Sequence, residues 1–167
     1  MSAMVQSVWK VWAPLRCKFF AWLVLQDRIW TSDRLTRRGW PNCGLCPLCK
    51  QSQELAAHLL FQCRFTLRVW NNILLWLGMH HIHTSTWTTW VSVWDWWTGN
   101  VYLRAESPKA LASLMMLISW EIWTEHNARV FRNTAAPSTV IISKIKEELS
   151  LWSLAGAKHL SIVMPRE

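Results

Sequence analysis

Residues 43–63 read "CGLCPLCKQSQELAAHLLFQC" and hold four of the chain's five cysteines together with one histidine. Cys46 and Cys49 form a C-x2-C pair, and His58 and Cys63 form an H-x4-C pair, giving C-x2-C-x8-H-x4-C overall. A tight turn at the first spacing lets two thiolates converge on one ion. Backbone N–H groups of that turn can point at the sulfurs and offset their charge. Three sulfurs and one imidazole form a closed, soft set that suits a tetrahedral zinc ion with no open position for water. The expected cofactor is therefore one structural Zn²⁺, whose binding free energy adds to folding free energy. Cys43 and Cys46 form a rival C-x2-C pair. A set of buried, inert thiols with no metal is the remaining alternative.

The second spacing carries a structural demand. On an ideal helix, residues five apart differ by about 140° in azimuth. His58 and Cys63 cannot both face one ion from an undistorted helix. The helix over 54–61 should end or distort near Cys63, and a second should start at about Arg64 or Phe65.

Outward from the cluster, the chain reads as helices. Residues 5–12 form a short helix that Pro14 ends. Residues 15–27 form a buried helix with Phe19, Trp22 and Leu23 at i, i+3, i+4. Residues 31–39 form a capped helix, with Thr31 or Ser32 as N-cap, Asp33 in the first turn and Gly39 as the stop. Residues 65–78 form an amphipathic helix with Phe65, Val69, Ile73 and Leu77 on one face and Gly78 at its end. A loop follows at 79–86, and its "HHIH" (80–83) is a weak candidate for a second metal site. Residues 87–97 are expected to be helical, with Trp90, Trp94 and Trp97 on a greasy face. The stretch 98–108 is the best internal boundary. Two helices close the chain at about 109–132 and 139–154, the latter capped by Ser138. Its Ile141, Ile145, Leu149 and Trp152 face inward, and Lys144, Lys146, Glu147 and Glu148 face water. Cys17 reads as core.

The expected fold is all-α: a small zinc-stapled helical domain (5–79), a Trp-rich segment and linker (80–108), and a two-helix C-terminal extension (109–158). Of 167 residues, 51% are apolar, so a packed core is within reach and disorder is excluded for most of the length. The net charge is +8, and +7 of it falls on residues 1–79, which carry ten Lys/Arg and three Asp/Glu. That asymmetry points to a polyanionic partner. No secretory signal is visible, because Lys10, Arg16 and Lys18 interrupt the N-terminal apolar residues. The most apolar later run, 110–123, is shorter than the roughly 20 residues of a membrane span. The reading is an intracellular protein, nuclear or cytoplasmic, that is neither secreted nor membrane-bound. In that setting clustered cysteines point to metal rather than disulfides. Most of the fifteen tryptophans read as packing, with base stacking as the alternative.

The stretches "VWKVWAPLRCKFFAWLVLQDRIWTSDRLTRRGW", "CPLC" and "HLLFQCRFTLRVW" resemble the zinc-binding domain of plant reverse-transcriptase-like proteins of non-LTR retrotransposon origin. The resemblance covers about residues 8–78. It implies the same four ligands, Cys46, Cys49, His58 and Cys63, and leaves Cys43 outside the motif. The later "ISWEIWTEHNARVFRN" and "KIKEELSLWSLAGAKHL" are similar to a segment that often follows this domain. Three departures stand out. Trp30 replaces a small or aliphatic residue, Arg64 replaces proline, and His126 replaces arginine.

Catalytic carboxylates are sparse. The aspartates are Asp27, Asp33 and Asp95, with no Asp-Asp pair to hold two Mg²⁺ ions. The only adjacent acidic pair is Glu147-Glu148. The chain therefore reads as a non-enzyme, lacking the reverse transcriptase and ribonuclease H carboxylate sets. Its expected role is a zinc module that grips RNA or DNA through Arg34, Arg37, Arg38, Lys50, Arg64 and Arg68. The alternatives are a helical scaffold that docks on a reverse transcriptase or other protein domain, and a decayed element fragment with no present activity.

Overall fold

The computed structural model describes residues 3–101 and 107–166 and contains eight α-helices among them. They are α1 (Ala3–Val8), α2 (Leu15–Leu25), α3 (Ser32–Arg37), α4 (Arg64–Trp76), α5 (Val93–Val101), α6 (Pro108–Phe131), α7 (Ser138–Leu154) and α8 (Lys158–Val163). A π-helical turn covers His58–Gln62, and a 3₁₀ turn covers Thr84–Thr89. Among the described residues there is no sheet, only an isolated antiparallel bridge between Leu45 and Gln53. The fold is all-α.

The centre is α6. Apart from Ser113, its sequence is apolar all round through 110–118, which is the pattern of a helix surrounded by protein, and all nine of these residues are buried. Proline at its first position removes an N–H that would have no partner there. Helix α2 packs on one side of α6, and α7 packs on another while also covering α4. One contiguous core runs from Val8 to Leu160.

Local signals account for several boundaries. Pro14 precedes α2, and Gly39 and Gly78 follow α3 and α4 in the left-handed conformation (φ +77° and +69°) that favours glycine. Phe65, Val69, Ile73 and Leu77 are buried along α4, as their four-residue spacing demands. Ile141, Ile145, Leu149 and Trp152 are buried along α7. Lys144 is exposed and reaches back to the buried Glu121 at 3.0 Å. Glu148 is only partly exposed and accepts from Trp152 Nε1 at 3.2 Å.

Three expectations need correction. Helix α2 buries Cys17, Phe20, Ala21 and Val24, while Phe19 is exposed and Trp22 and Leu23 are half-buried. Its "KFFAWLVL" run is apolar at nearly every position, so helical spacing alone does not set which face turns inward. The second concerns 87–97. The helix starts only at Val93, where the Ser92 hydroxyl caps it by accepting from Asp95 N–H at 3.1 Å. Upstream, the Thr86 and Thr89 hydroxyls donate to the carbonyls of His83 and Thr86 (2.8 and 2.7 Å) and hold a tighter turn. The deeply buried rings are Trp87, Trp96 and Trp97, with Trp90 and Trp94 half-buried. Third, the stretch 98–108 is not uniformly a linker. Residues 98–101 continue α5, and 102–106 lie outside the described residues. The short α8 extends the helical part beyond 158.

Candidate metal centre

The two halves of the cysteine motif come from different structures. Cys46 and Cys49 sit on a tight turn whose base is closed by three backbone hydrogen bonds: Cys46 N to Ser52 O (2.8 Å), Lys50 N to Cys46 O (2.8 Å) and Glu54 N to Gly44 O (2.9 Å). Lys50 ends this turn in the left-handed region (φ +56°). His58 and Cys63 come from the π-helical turn and its end. There Cys63 N–H donates to His58 C=O at 2.6 Å, the i→i+5 bond of a π turn. This over-wide turn brings residues five apart back to one side. At Cys63 the backbone becomes extended (φ −62°, ψ 133°), and α4 starts at Arg64. The distortion demanded by the H-x4-C spacing is therefore present, as a π turn followed by a sharp break.

Breaking a helix in a core leaves carbonyls without partners. Helix α4 supplies them from its side chains. The Thr66 hydroxyl donates to Leu59 C=O at 2.7 Å, and Trp70 Nε1–H donates to Leu60 C=O at 3.1 Å. Trp70 in turn packs edge-on against Trp87 and Trp96 (5.1 and 5.7 Å between ring centroids), and Phe61 of the π turn stacks on Trp96 at 4.6 Å. The Trp-rich segment is thus packed behind the His58–Cys63 half of the cluster.

The four candidate ligand atoms lie within 4.8 Å of one another. Cys46 Sγ is 3.9 Å from Cys63 Sγ, and Cys49 Sγ is 3.4 Å from His58 Nε2. Around a tetrahedral zinc, ordinary bond lengths place two sulfurs about 3.8 Å apart and a sulfur and nitrogen about 3.6 Å apart. The site has those dimensions. Cys46 and Cys63 are fully buried, and Cys49 and His58 are partly so. Each sulfur accepts from two backbone N–H groups: those of Cys49 and Leu48 on Cys46, Gln51 and Ser52 on Cys49, and Thr66 and Phe65 on Cys63.

Without a metal the four groups share protons. The hydrogen bond from Cys46 holds Cys63 far below the usual thiol range, at about 4, against the effect of burial. The same bond, with burial, pushes Cys46 up. At Cys49 burial acts upward, and the N–H groups of Gln51 and Ser52 and the bond to His58 outweigh it. Contact with Cys63 raises His58 against desolvation.

Cys43 is exposed, with its thiol directed at Leu45 C=O (3.9 Å), and is not part of the cluster. Cys17 lies buried in α2, and burial pushes its thiol up to about 12. His80, His81 and His83 do not converge on an ion-sized site with other ligands among the described residues. The basic candidates fall on two surfaces. Arg64 and Arg68 stand one turn apart on exposed α4, beside Leu48 and Cys49. Arg34 and Arg38 lie over the Trp30 ring (5.5 and 5.7 Å to its centroid), while Arg37 pairs with Asp33 at 3.0 Å. Lys50 is exposed at the end of the cysteine turn.

The residues that sequence reasoning missed come from α6. Arg129 donates to the carbonyls of Pro47 and Leu48 (3.0 and 3.3 Å), inside the C-x2-C turn, and to Ala136 C=O (2.9 Å). Its Nε lies 3.7 Å from the buried Glu125, and its guanidinium sits 4.9 Å from the Phe65 ring centroid. His126 stacks on Trp123 (4.5 Å, 9°) and contacts the Glu54 carboxylate through Nε2. The other oxygen of Glu54 accepts from Ser32 N–H (3.1 Å) and from the Ser32 hydroxyl. Glu54 thus ties the start of α3, the cysteine segment and α6 together. No local pattern announces these partners, which lie up to 82 residues away in the chain.

Comparison with known proteins agrees with this geometry. Residues 1–70 match the family described as zinc-binding in reverse transcriptase. An Arabidopsis thaliana protein that carries a provisional ribonuclease H name is 25% identical over 163 aligned residues. The alignment covers 82% of this chain and 26% of that protein, so the chain spans about a quarter of the relative's length. No solved structure matches significantly. The matched stretch, residues 1–70, contains all four clustered ligand residues.

Proposed function

We propose that the chain is a structural zinc module of a plant retrotransposon-derived protein, that it binds nucleic acid, and that it performs no chemistry of its own. The carrying observation is the closed Cys₃His cluster, whose four ligand atoms lie within 4.8 Å and leave no position for a reacting water. A zinc ion there would be held by Cys46, Cys49, His58 and Cys63. It would supply cross-linking and folding free energy. The protein would work inside the cell, nuclear or cytoplasmic, where thiols stay reduced. No helix among the described residues is long and apolar enough to cross a membrane.

Nucleic-acid binding is supported by the surface around the cluster. Among the described residues, Arg64, Arg68 and Lys50 have no acidic partner, so their charges face solvent. Phosphates would displace their counterions, making affinity fall linearly with salt on a log–log plot. The scaffold alternative docks through the Trp-rich segment at 87–97 and the helices at 109–132 and 139–154; the Trp-rich segment is the part the packing speaks to. Its most deeply buried rings, Trp87 and Trp96, face α4 and the π turn, which speaks against that role. Fluorescence anisotropy with labelled RNA and DNA at two salt concentrations tests the proposal. Salt-dependent binding that weakens on Arg64→Ala plus Arg68→Ala is expected. Binding without a salt slope, or none at all, would overturn it.

A further inference from the structure

A cavity of about 490 Å³ opens beside the cysteine turn, and neither Arg64 nor Arg68 lines it. Its walls include Trp30, Leu45, Lys50, His126, Val130 and Phe131, and it is mostly apolar. The volume falls within the range of about 300–1,000 Å³ typical of small-ligand sites. Two of its walls are aromatic rings left open to solvent: Trp30 is 48% exposed, and Phe131, at the end of α6, is 73% exposed.

The charges around the cavity are unbalanced. Glu54 lines it, but its carboxylate is engaged by Ser32 and His126. Arg129 is held by three carbonyls and Glu125. Asp33 is held by Thr31 and Arg37. The cation left over in its lining is Lys50. Outside the lining, the Arg34 and Arg38 guanidinium groups lie over the Trp30 ring. Among the described residues none of these three has an acidic partner. An apolar cavity walled by two exposed aromatic side chains, with Lys50 in its lining and two guanidinium groups over one of the rings, is complementary to a ligand with flat apolar faces and a polyanionic backbone. In a duplex those faces are already stacked on neighbouring bases. In a single strand they are free.

We infer that this cavity takes an unstacked base of single-stranded RNA or DNA between Trp30 and Phe131, with the adjoining phosphates at Lys50 and Arg38. The inference rests on the nucleic-acid reading above and deepens it, naming the single strand as substrate class and this cavity as its docking point.

The test uses the full zinc-loaded chain and labelled oligonucleotides of about 12 nucleotides, single-stranded and hairpin duplex, as RNA and DNA. Trp30→Ala and Phe131→Ala should each weaken single-strand binding by about 5- to 150-fold, the value of one base–aromatic stack. Hairpin binding should stay unchanged. Trp30→Phe should recover most of the loss, and all variants should retain zinc, which separates a stacking effect from misfolding. If single strands bind with a salt slope but both alanine variants match the wild type, or if the hairpin competes equally, the cavity assignment fails while the nucleic-acid reading stands. If no oligonucleotide binds in a salt-dependent way, both fail. Concentration-dependent self-association that requires Trp30 and occludes the oligonucleotide would assign the surface to a protein partner and overturn the inference.

Discussion

Replacing Arg129 by methionine tests whether α6 holds the cysteine turn in place. The side chain is 15% exposed and donates to three carbonyls, two of them in the C-x2-C turn, while its Nε faces a Glu125 side chain that is only 3% exposed. Methionine keeps much of the apolar stem that lies on Phe65 but removes every donor. Glu125 then retains only the Ala136 N–H (2.8 Å), and the Pro47 and Leu48 carbonyls lose their partner. Hydrogen bonds to a charged donor contribute about 1.5–3 kcal/mol each, but they are not additive. Removing one partner of a buried ion pair costs about 3–5 kcal/mol. The latter range is the expected destabilisation, and it is a large share of the about 5–15 kcal/mol that holds a typical domain. The assay is denaturant unfolding with zinc present, read by tryptophan fluorescence, alongside zinc release to a competing chelator. Arg129→Met should lower stability by about 3–5 kcal/mol and speed zinc release, because the turn loses its outer support. Adding Glu125→Gln should restore part of the loss by removing the stranded charge. A change below about 1 kcal/mol with unaltered zinc release would refute the clamp, since that is the range of an ordinary surface contact.

Trp70→Phe keeps a buried aromatic but strands the Leu60 carbonyl freed by the π turn. It should cost about 1–3 kcal/mol in the same unfolding assay, and a neutral result would show that this carbonyl needs no partner. Thiol labelling of the zinc-loaded protein should modify Cys43 quickly and spare Cys17, whose burial keeps it protonated with a pKa near 12. Chelation should then expose Cys46, Cys49 and Cys63. Rapid labelling of Cys17 in the folded protein would contradict its placement in the core.

The convergence of Cys46, Cys49, His58 and Cys63 was legible in the sequence because its logic is local. Spacing selects four groups able to converge, and 100° per residue forbids His58 and Cys63 from one regular helix. That argument placed the break beside Cys63, although a π turn rather than a simple helix end provides it. The faces of α4 and α7 were legible because each carries a narrow apolar stripe. The inner face of α2 was not, since an almost continuously apolar run has no phase. Threonine hydroxyls that bond to nearby carbonyls displaced the start of α5, an effect that periodicity does not register. The clamp of Arg129 and the Glu54–His126 contact are long-range and polar. Their partners are backbone carbonyls or a buried carboxylate far along the chain, so no local pattern marks them.

The central claim is that one zinc ion is held by Cys46, Cys49, His58 and Cys63 and pins the fold. Its most direct test is the zinc content of purified protein by atomic emission, with His58→Ala and Cys43→Ser measured beside the wild type. The account predicts about one zinc per chain in the wild type and in Cys43→Ser, the stoichiometry of a closed four-ligand site. It predicts loss of zinc and a lower unfolding midpoint in His58→Ala. Full zinc retention in His58→Ala, or loss of zinc in Cys43→Ser, would contradict it.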